Sequence, residues 1–160
     1  MTNEEIALQR LAGQSLVAPP GVTVPAVVSR LGAMQAQDYA GAKWAIGQRT
    51  AAGLTDADVE RAFNAGEILR THILRPTWHF VATADVRWLL ALSAPRVKAA
   101  NASMYRKLEL DDAVFRKSHK AIEKALRDGQ RLKRVELAAH LTRAGVAQAE
   151  GIRMAHLMMQ

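Results

Sequence analysis

Glu67-Ile68-Leu69-Arg70-Thr71-His72-Ile73-Leu74-Arg75-Pro76-Thr77-Trp78-His79-Phe80-Val81 is the one stretch of this chain with strand character. Its two runs alternate with period two around Arg75-Pro76, as the arms of a β-hairpin do, because successive side chains of a strand point to opposite faces. With Leu74 set against Thr77, Ile73 faces Trp78 and Thr71 faces Phe80 on a greasy side, while His72 faces His79 and Arg70 faces Val81 on the other. Arg-Pro is a poor two-residue hairpin turn, which leaves a slip of one residue open.

Upstream, the pattern is helical. Asn3 caps a helix opening on Glu4-Glu5, with Ile6, Leu8, Leu11 and Leu16 as apolar positions and Gly13, then Pro19-Pro20-Gly21, as its stop. Thr23 ahead of Pro25 starts a second helix, in which Val27, Val28, Leu31 and Met34 follow at helical spacing. A third, Ala40 to Gln48, offers Trp44 and Ile46 to the core and leaves Lys43 and Arg49 to solvent. Thr55-Asp56-Ala57-Asp58 begins a fourth, buried through Val59, Ala62 and Phe63 and ended by Gly66. Short helices followed by a two-stranded ribbon make the order of a winged-helix domain over residues 1–82, with the ribbon as wing and the third helix as groove reader.

Residues 83–130 read as a helical connector. Thr83-Ala84-Asp85 caps a fifth helix through Trp88, Leu89 and Leu92, Pro95 opens a sixth with Arg96, Lys98, Arg106 and Lys107, and Asp111-Asp112 begins a seventh. On the seventh, Val114, Ala121, Ile122, Ala125 and Leu126 form an apolar stripe, and Arg116, Lys120, Lys124, Arg127 and Arg131 line up on another side. Such a row, partly neutralised by Glu123, is ordinarily a solvated face; its continuity keeps contact with phosphates open. Leu132 to Ala144 makes an eighth helix burying Val135, Leu137, Ala138 and Leu141, and Gly145-Val146 turns the chain into Ile152, Met154, Leu157 and Met158. Residues 131–160 thus read as the start of a second winged helix, broken off at Gln160 before its wing. The expected fold is mainly α with a β-hairpin, a tandem winged helix-turn-helix with the second member incomplete.

Composition agrees with that class. Hydrophobic residues make up 49% of the 160 and aromatics only 5%, the balance of helices packed on helices. The absence of cysteine excludes a disulfide scaffold, a thiolate nucleophile and thiolate metal sites, and points to a reducing, cytoplasmic setting. No window approaches a membrane span and no targeting segment opens the chain, so a soluble protein is expected. The net charge of +7 is uneven: residues 1–66 hold 5 Lys+Arg against 6 Asp+Glu, and the rest hold 17 against 9. A basic second part suits a polyanionic partner, nucleic acid before acidic membrane.

The candidate chemistry lies at Met34-Gln35-Ala36-Gln37-Asp38-Tyr39-Ala40-Gly41-Ala42-Lys43-Trp44, with two amides and a carboxylate at close quarters. On a helix Gln35 and Gln37 would project to nearly opposite sides; in an extended segment both can face one ligand. Gln and Asp ahead of an Ala/Gly run are also ordinary cap and loop residues. Of the five histidines only His72 and His79 face each other, a poor metal site without a third ligand, so no metal is expected. No phosphate loop, nucleophile elbow or zinc-protease motif is present, and no small-molecule cofactor is expected.

Gln35-Ala36-Gln37-Asp38-Tyr39-Ala40-Gly41-Ala42-Lys43-Trp44 together with the Gly66 to Val81 hairpin resembles a bacterial family of winged-helix DNA-binding proteins that includes the AlkZ-like DNA glycosylases. The resemblance runs over the whole chain and implies a longer protein, of which this is the N-terminal portion. The catalytic motif of the glycosylase branch, Gln, any residue, then Gln or Asp, implies Gln35 and Gln37 here, with Asp38 as the fallback base. An amide is no strong general base; it can position a water and stabilise positive charge on the sugar. That assistance suffices where the leaving base is already cationic, as in guanine alkylated at N7. A bulky adduct also fits an open basic surface better than a tight base-flipping pocket.

Two functions follow. The first is a repair glycosylase acting on double-stranded DNA, releasing N7-alkylated purines and unhooking crosslinks. The second is a non-catalytic winged-helix DNA-binding protein, such as a transcription regulator, in which Lys43, Arg49, Arg70, His72, Arg75 and His79 meet the duplex. Arg116, Lys120, Lys124, Arg127 and Arg131 are further candidates for phosphate contact.

Overall fold

A computed structural model of the chain describes residues 1–17, 22–50, 54–74 and 77–159. It is mainly helical with one small antiparallel sheet, in the order α1 (Asn3–Gly13), α2 (Val24–Arg30), β1 (Met34–Gln35), α3 (Tyr39–Gly47), α4 (Asp56–Asn64), β2 (Ile68–Ile73), β3 (Thr77–Ala82), α5 (Val86–Lys107), α6 (Asp112–Ala125), α7 (Arg134–Arg143) and α8 (Gly151–Met158). Two compact units divide it, residues 1–97 and 98–160. No described helix is long and apolar enough to cross a membrane.

In the first unit the helix ends follow local chemistry. Thr2 rather than Asn3 caps α1: Thr2 Oγ1 accepts from Glu5 N–H at 3.2 Å, and the Glu5 carboxylate accepts from Thr2 N–H at 2.7 Å. The stop expected at Pro19-Pro20-Gly21 lies outside the described residues. Helix α2 ends at Arg30, and Gly32 then takes a φ of 72°, a turn that favours glycine. Met34, expected on the helix, is therefore the first residue of a strand.

That strand completes a three-stranded sheet of order β1-β3-β2. The hairpin exists but is paired one residue away from the expected register: Ile73 opposes Thr77, His72 opposes Trp78, Thr71 opposes His79 and Arg70 opposes Phe80. Leu74, with a left-handed φ of 62°, belongs to the turn instead of pairing. A two-residue hairpin turn wants φ above zero, which proline cannot adopt, so the connection takes a third residue. One consequence is that His72 and His79 lie on opposite faces of the ribbon. Another is that neither face is purely polar. Ile68 and Phe80 join Val24, Val28, Ile46 and Val59 in one core cluster, while Ile73 and Val81 pack with Leu89 in another.

Helix α3 buries Ala42, Lys43 and Ile46 and leaves Trp44 67% exposed, the reverse of the expectation for Lys43 and Trp44. Positions 39, 42, 43 and 46 share one helical face, and 44 lies across from it. Helix α4 begins at Thr55, whose N–H and hydroxyl both donate to Asp58 Oδ2, at 2.8 and 2.6 Å, while Arg61 Nη1 reaches Asp58 Oδ1 at 2.7 Å. These bonds, the Thr55 hydroxyl first, hold the Asp58 carboxyl down to about 2 from its ordinary 3.8. A carboxylate with a lowered folded pKa contributes stability above its unfolded value and loses it as pH falls through the folded one. The urea midpoint of the first unit should accordingly drop between about pH 4 and pH 2, and Asp58→Asn should shrink that drop; an identical acid profile in the variant would refute the assignment. All three tryptophans, Trp44, Trp78 and Trp88, belong to this unit, so tryptophan fluorescence excited beyond the tyrosine band reads it alone.

Helix α5 is one 22-residue helix with Pro95 inside, where two helices were expected. Proline at that point removes one backbone hydrogen bond without ending the helix, and the division between units falls just after it.

In the second unit Asp111 caps α6 by accepting from Val114 N–H at 2.8 Å. Phe115, Leu137, Leu141, Val146, Met154 and Leu157 form its core, with Val114, Ala121 and Ile122 packed at the edge. Val135, expected inside, is 73% exposed, and Leu126, Ile152 and Met158 are exposed as well. Helices α7 and α8 are joined by a turn at Gly145, whose φ of 77° suits glycine.

Candidate functional site

Gln35 lies in β1 opposite His79, and the next residue, Ala36, donates its N–H to Trp78 O at 2.7 Å. Gln35 is the last residue of β1 and Gln37 stands in the bend that follows Ala36; Ala36 is fully buried, and both glutamines are exposed. In a regular antiparallel pair Trp78 N–H would answer with a bond to Ala36 O. Here Gln37 Oε1 takes that N–H at 3.3 Å, and Ala36 O instead accepts from Arg70 Nε at 3.0 Å and Nη2 at 2.9 Å. A backbone N–H can only donate, so the oxygen end of the Gln37 amide is engaged and its NH2 is the end left for a ligand. The two amides are thus unequal.

Asp38 is the cap of α3, its carboxylate accepting from Gly41 N–H at 3.1 Å. A Cβ at position 41 would stand 2.5 Å from an Asp38 carboxylate oxygen, so any other residue there would push that carboxylate aside. A carboxylate spent on a helix end is a weak candidate for a base. His79, buried beneath Gln35, has its Nδ1 2.9 Å from Thr77 O; a carbonyl only accepts, which puts the hydrogen on Nδ1. His72 stacks on Trp78 at 3.9 Å between ring centroids, and burial, then the nearby Arg70 and His79 charges, hold its pKa below the usual imidazole value. These effects favour the neutral imidazole.

The other cations expected to meet DNA from the first unit spend their donors within the protein. Lys43, 8% exposed, reaches Glu60 at 2.7 Å and Asp56 at 2.9 Å, and Tyr39 donates to the same Glu60 at 2.9 Å. The Glu60 and Asp56 contacts raise the Lys43 pKa; Lys43 and then Tyr39 lower that of Glu60. Burial, then Glu60, raises that of Tyr39. Arg49, expected in solvent, donates to Gln14 O at 2.8 Å and Ala45 O at 2.7 Å. Arg75 lies outside the described residues. In the second unit Arg116, Lys120, Lys124 and Arg127 are exposed, and no ion-pair partner of theirs is found among the described residues; Arg131 is exposed too.

Sequence reasoning missed the Tyr39–Lys43–Asp56–Glu60 cluster, although a signal was there. Tyr39 and Lys43 are four apart on α3, as Asp56 and Glu60 are on α4, so each pair shares a helix face. It also missed the Trp78 N–H, which no side-chain pattern announces. A depression of 310 Å³ between α3 and α4, lined by Trp44, Gln48, Leu54 and Asp56 among others, includes neither Gln35 nor Gln37. Among the described residues no three His, Asp or Glu side chains are grouped to hold a metal.

No curated protein and no solved structure matches this chain. A family model described as DNA glycosylase AlkZ-like matches residues 28–160, a span holding both glutamines, the hairpin and the whole second unit. The chain belongs to the AlkZ-like DNA glycosylase family.

Proposed function

We propose that the chain carries the chemistry of a monofunctional DNA glycosylase that hydrolyses the N-glycosidic bond of N7-alkylated purines in double-stranded DNA, crosslinked purines included. The observation that supports this is the pair of exposed amides on either side of the buried Ala36, Gln37 braced against the hairpin, with the adjoining carboxylate occupied at a helix end. In this reading Gln35 positions the attacking water and turns its oxygen to the positive charge on the sugar, and Gln37, held at its oxygen end, donates from its NH2 to an acceptor atom of the substrate. The N9–C1′ bond breaks with its electron pair passing to the cationic purine, which leaves neutral; the water oxygen bonds to C1′ and its proton passes to solvent. Two amides suit that reaction because the bond is already weak, and they lack the basicity to excise an undamaged base.

The frame of this reading is a winged helix over residues 1–82 with β2 and β3 as its wing, a connector over 83–130, and the start of a second winged helix over 131–160. Duplex DNA containing N7-methylguanine is the test. Release of methylguanine above the spontaneous rate, abolished by changing both glutamines, supports the proposal; release unaffected by those changes overturns it. The competing reading, a regulator gripping DNA through Lys43, Arg49 and Arg70, asks for donors that are bound inside the protein.

The exposed row on α6 is the proposed binding face for phosphates. Changing Arg116, Lys120 and Lys124 together to Gln should weaken duplex binding and reduce the slope of log K against log salt by about 0.9 for each phosphate no longer neutralised. Anisotropy titrations across a salt series read this directly, and an unchanged slope would make the row a solvated face.

A further inference from the structure

We propose that Arg70 is a positioning residue for the two amides, and that it acts through the backbone between them and not through DNA. This rests on the repair reading above. Ala36 is fully buried, and a buried carbonyl left without a donor is costly. The strand partner that would supply one, Trp78 N–H, is bonded to Gln37 Oε1 instead. Arg70 closes the gap with two donors, Nε at 3.0 Å and Nη2 at 2.9 Å, both on Ala36 O. Exchanging these partners lets the chain leave the ladder after Ala36 with Gln37 folded back on Trp78.

The guanidinium is itself held. Its central carbon lies 4.4 Å from the Trp78 ring centroid and 5.4 Å from that of Tyr39, whose hydroxyl is tied to Glu60. Arg70 also sits on β2 directly opposite Phe80, which is fully buried, so its stem starts from a fixed point. Planarity, two donors on one edge and stacking on aromatics are properties of a guanidinium that an ammonium does not share. The position therefore calls for arginine and not for positive charge alone.

Three roles for Arg70 give different results with R70K and R70M. Positioning predicts that both variants lower the single-turnover rate of N7-methylguanine release at saturating protein by about 10²-fold, because small misplacements of reacting groups have effects of that size. Duplex affinity should stay within about twofold of wild type in both. A role in gripping phosphate predicts the reverse: weaker binding in R70M, near-normal binding in R70K and an unchanged rate at saturation. A purely structural prop predicts a lowered urea midpoint with no loss of rate in the folded protein.

A second readout needs no activity. The carboxamide resonances of Gln37, assigned by their disappearance in Q37A, should move toward those of a solvated glutamine in R70M and R70K. Wild-type release of base with unaltered rates or unmoved Gln37 resonances in both variants overturns the proposal and leaves the repair reading intact. Moved resonances with no base release by wild type overturn the repair reading and keep Arg70 as the residue that sets Gln37. If R70M does not fold, R70K, which keeps the charge and most of the stem, carries the test.

Discussion

Gln35→Ala is expected to lower the single-turnover rate of N7-methylguanine release by about 10²- to 10³-fold, the loss typical of removing one preorganised polar group that acts at the transition state. It should leave the urea midpoint where it was, because the Gln35 side chain is exposed and its strand pairs through backbone atoms. Gln37→Ala should lower the rate comparably and also lower stability by about 1 kcal/mol, since it strips Trp78 N–H of its acceptor. The contrast between the two variants is diagnostic. Equal stability of both would mean that the 3.3 Å bond carries no weight, and equal activity of either with wild type would remove that amide from the mechanism. Asp38→Asn offers a control: it keeps an acceptor for Gly41 N–H, so a rate within about threefold of wild type agrees with a capping role, and a loss as large as those of the glutamines would make Asp38 the base.

The helices were legible in the sequence because their signals are local. Thr55 with Asp58, Asp111 with Val114 N–H, and Gly145 at a turn each act within a few residues, and the structure uses them that way, whereas Gly32, which turns the chain before Met34, went unread. The two-residue strand β1 was not legible. Met34 fits helical spacing from Val27 and Leu31, and two residues give no period to oppose that reading. Only the hairpin, more than forty residues on, makes them a strand. The register slipped for a related reason: alternation fixes which residues share a face within each arm, but the turn fixes which arm residues meet.

The same division runs through the candidate site. Gln35 lies in a strand, one of the two readings the spacing allowed, but Gln37 stands in the bend after it, which the spacing does not announce. The i, i+4 spacing hinted at the Lys43 cluster, but that Lys43, Arg49 and Arg70 bond to Glu60, Gln14 O and Ala36 O could not follow from it, because these partners lie 17, 35 and 34 residues away. Of the three only Lys43 is paired with carboxylates; Arg49 and Arg70 keep their charge while bonded to backbone carbonyls. The basic row differs: Arg116, Lys120 and Lys124 are exposed on α6 against the buried Phe115 and Ser118, while Arg127 and Arg131, expected to continue it, lie beyond the helix end at Ala125, where Asp128 takes a φ of 59°.

Phe80→Ala should have the largest effect on stability of any single change considered, about 3–5 kcal/mol by the usual cost of emptying a buried aromatic site. Phe80 is fully buried, with Tyr39 at 5.8 Å and Phe63 at 6.0 Å between ring centroids, and it stands opposite both Met34 and Arg70 in the sheet. Small domains are stable by only about 5–15 kcal/mol, so this change takes a large part of the whole. Phe80→Leu keeps most of the volume and should cost about half as much or less. Tryptophan fluorescence in urea measures both variants. The site should suffer before the unit unfolds: β1 is only two residues long, and Phe80 supplies both its pairing and the floor beneath it. Phe80→Leu, still folded, is therefore expected to lose base release out of proportion to its loss of stability. Full activity in a folded Phe80→Leu protein would show that the glutamines are held by the Arg70 and Trp78 bonds alone.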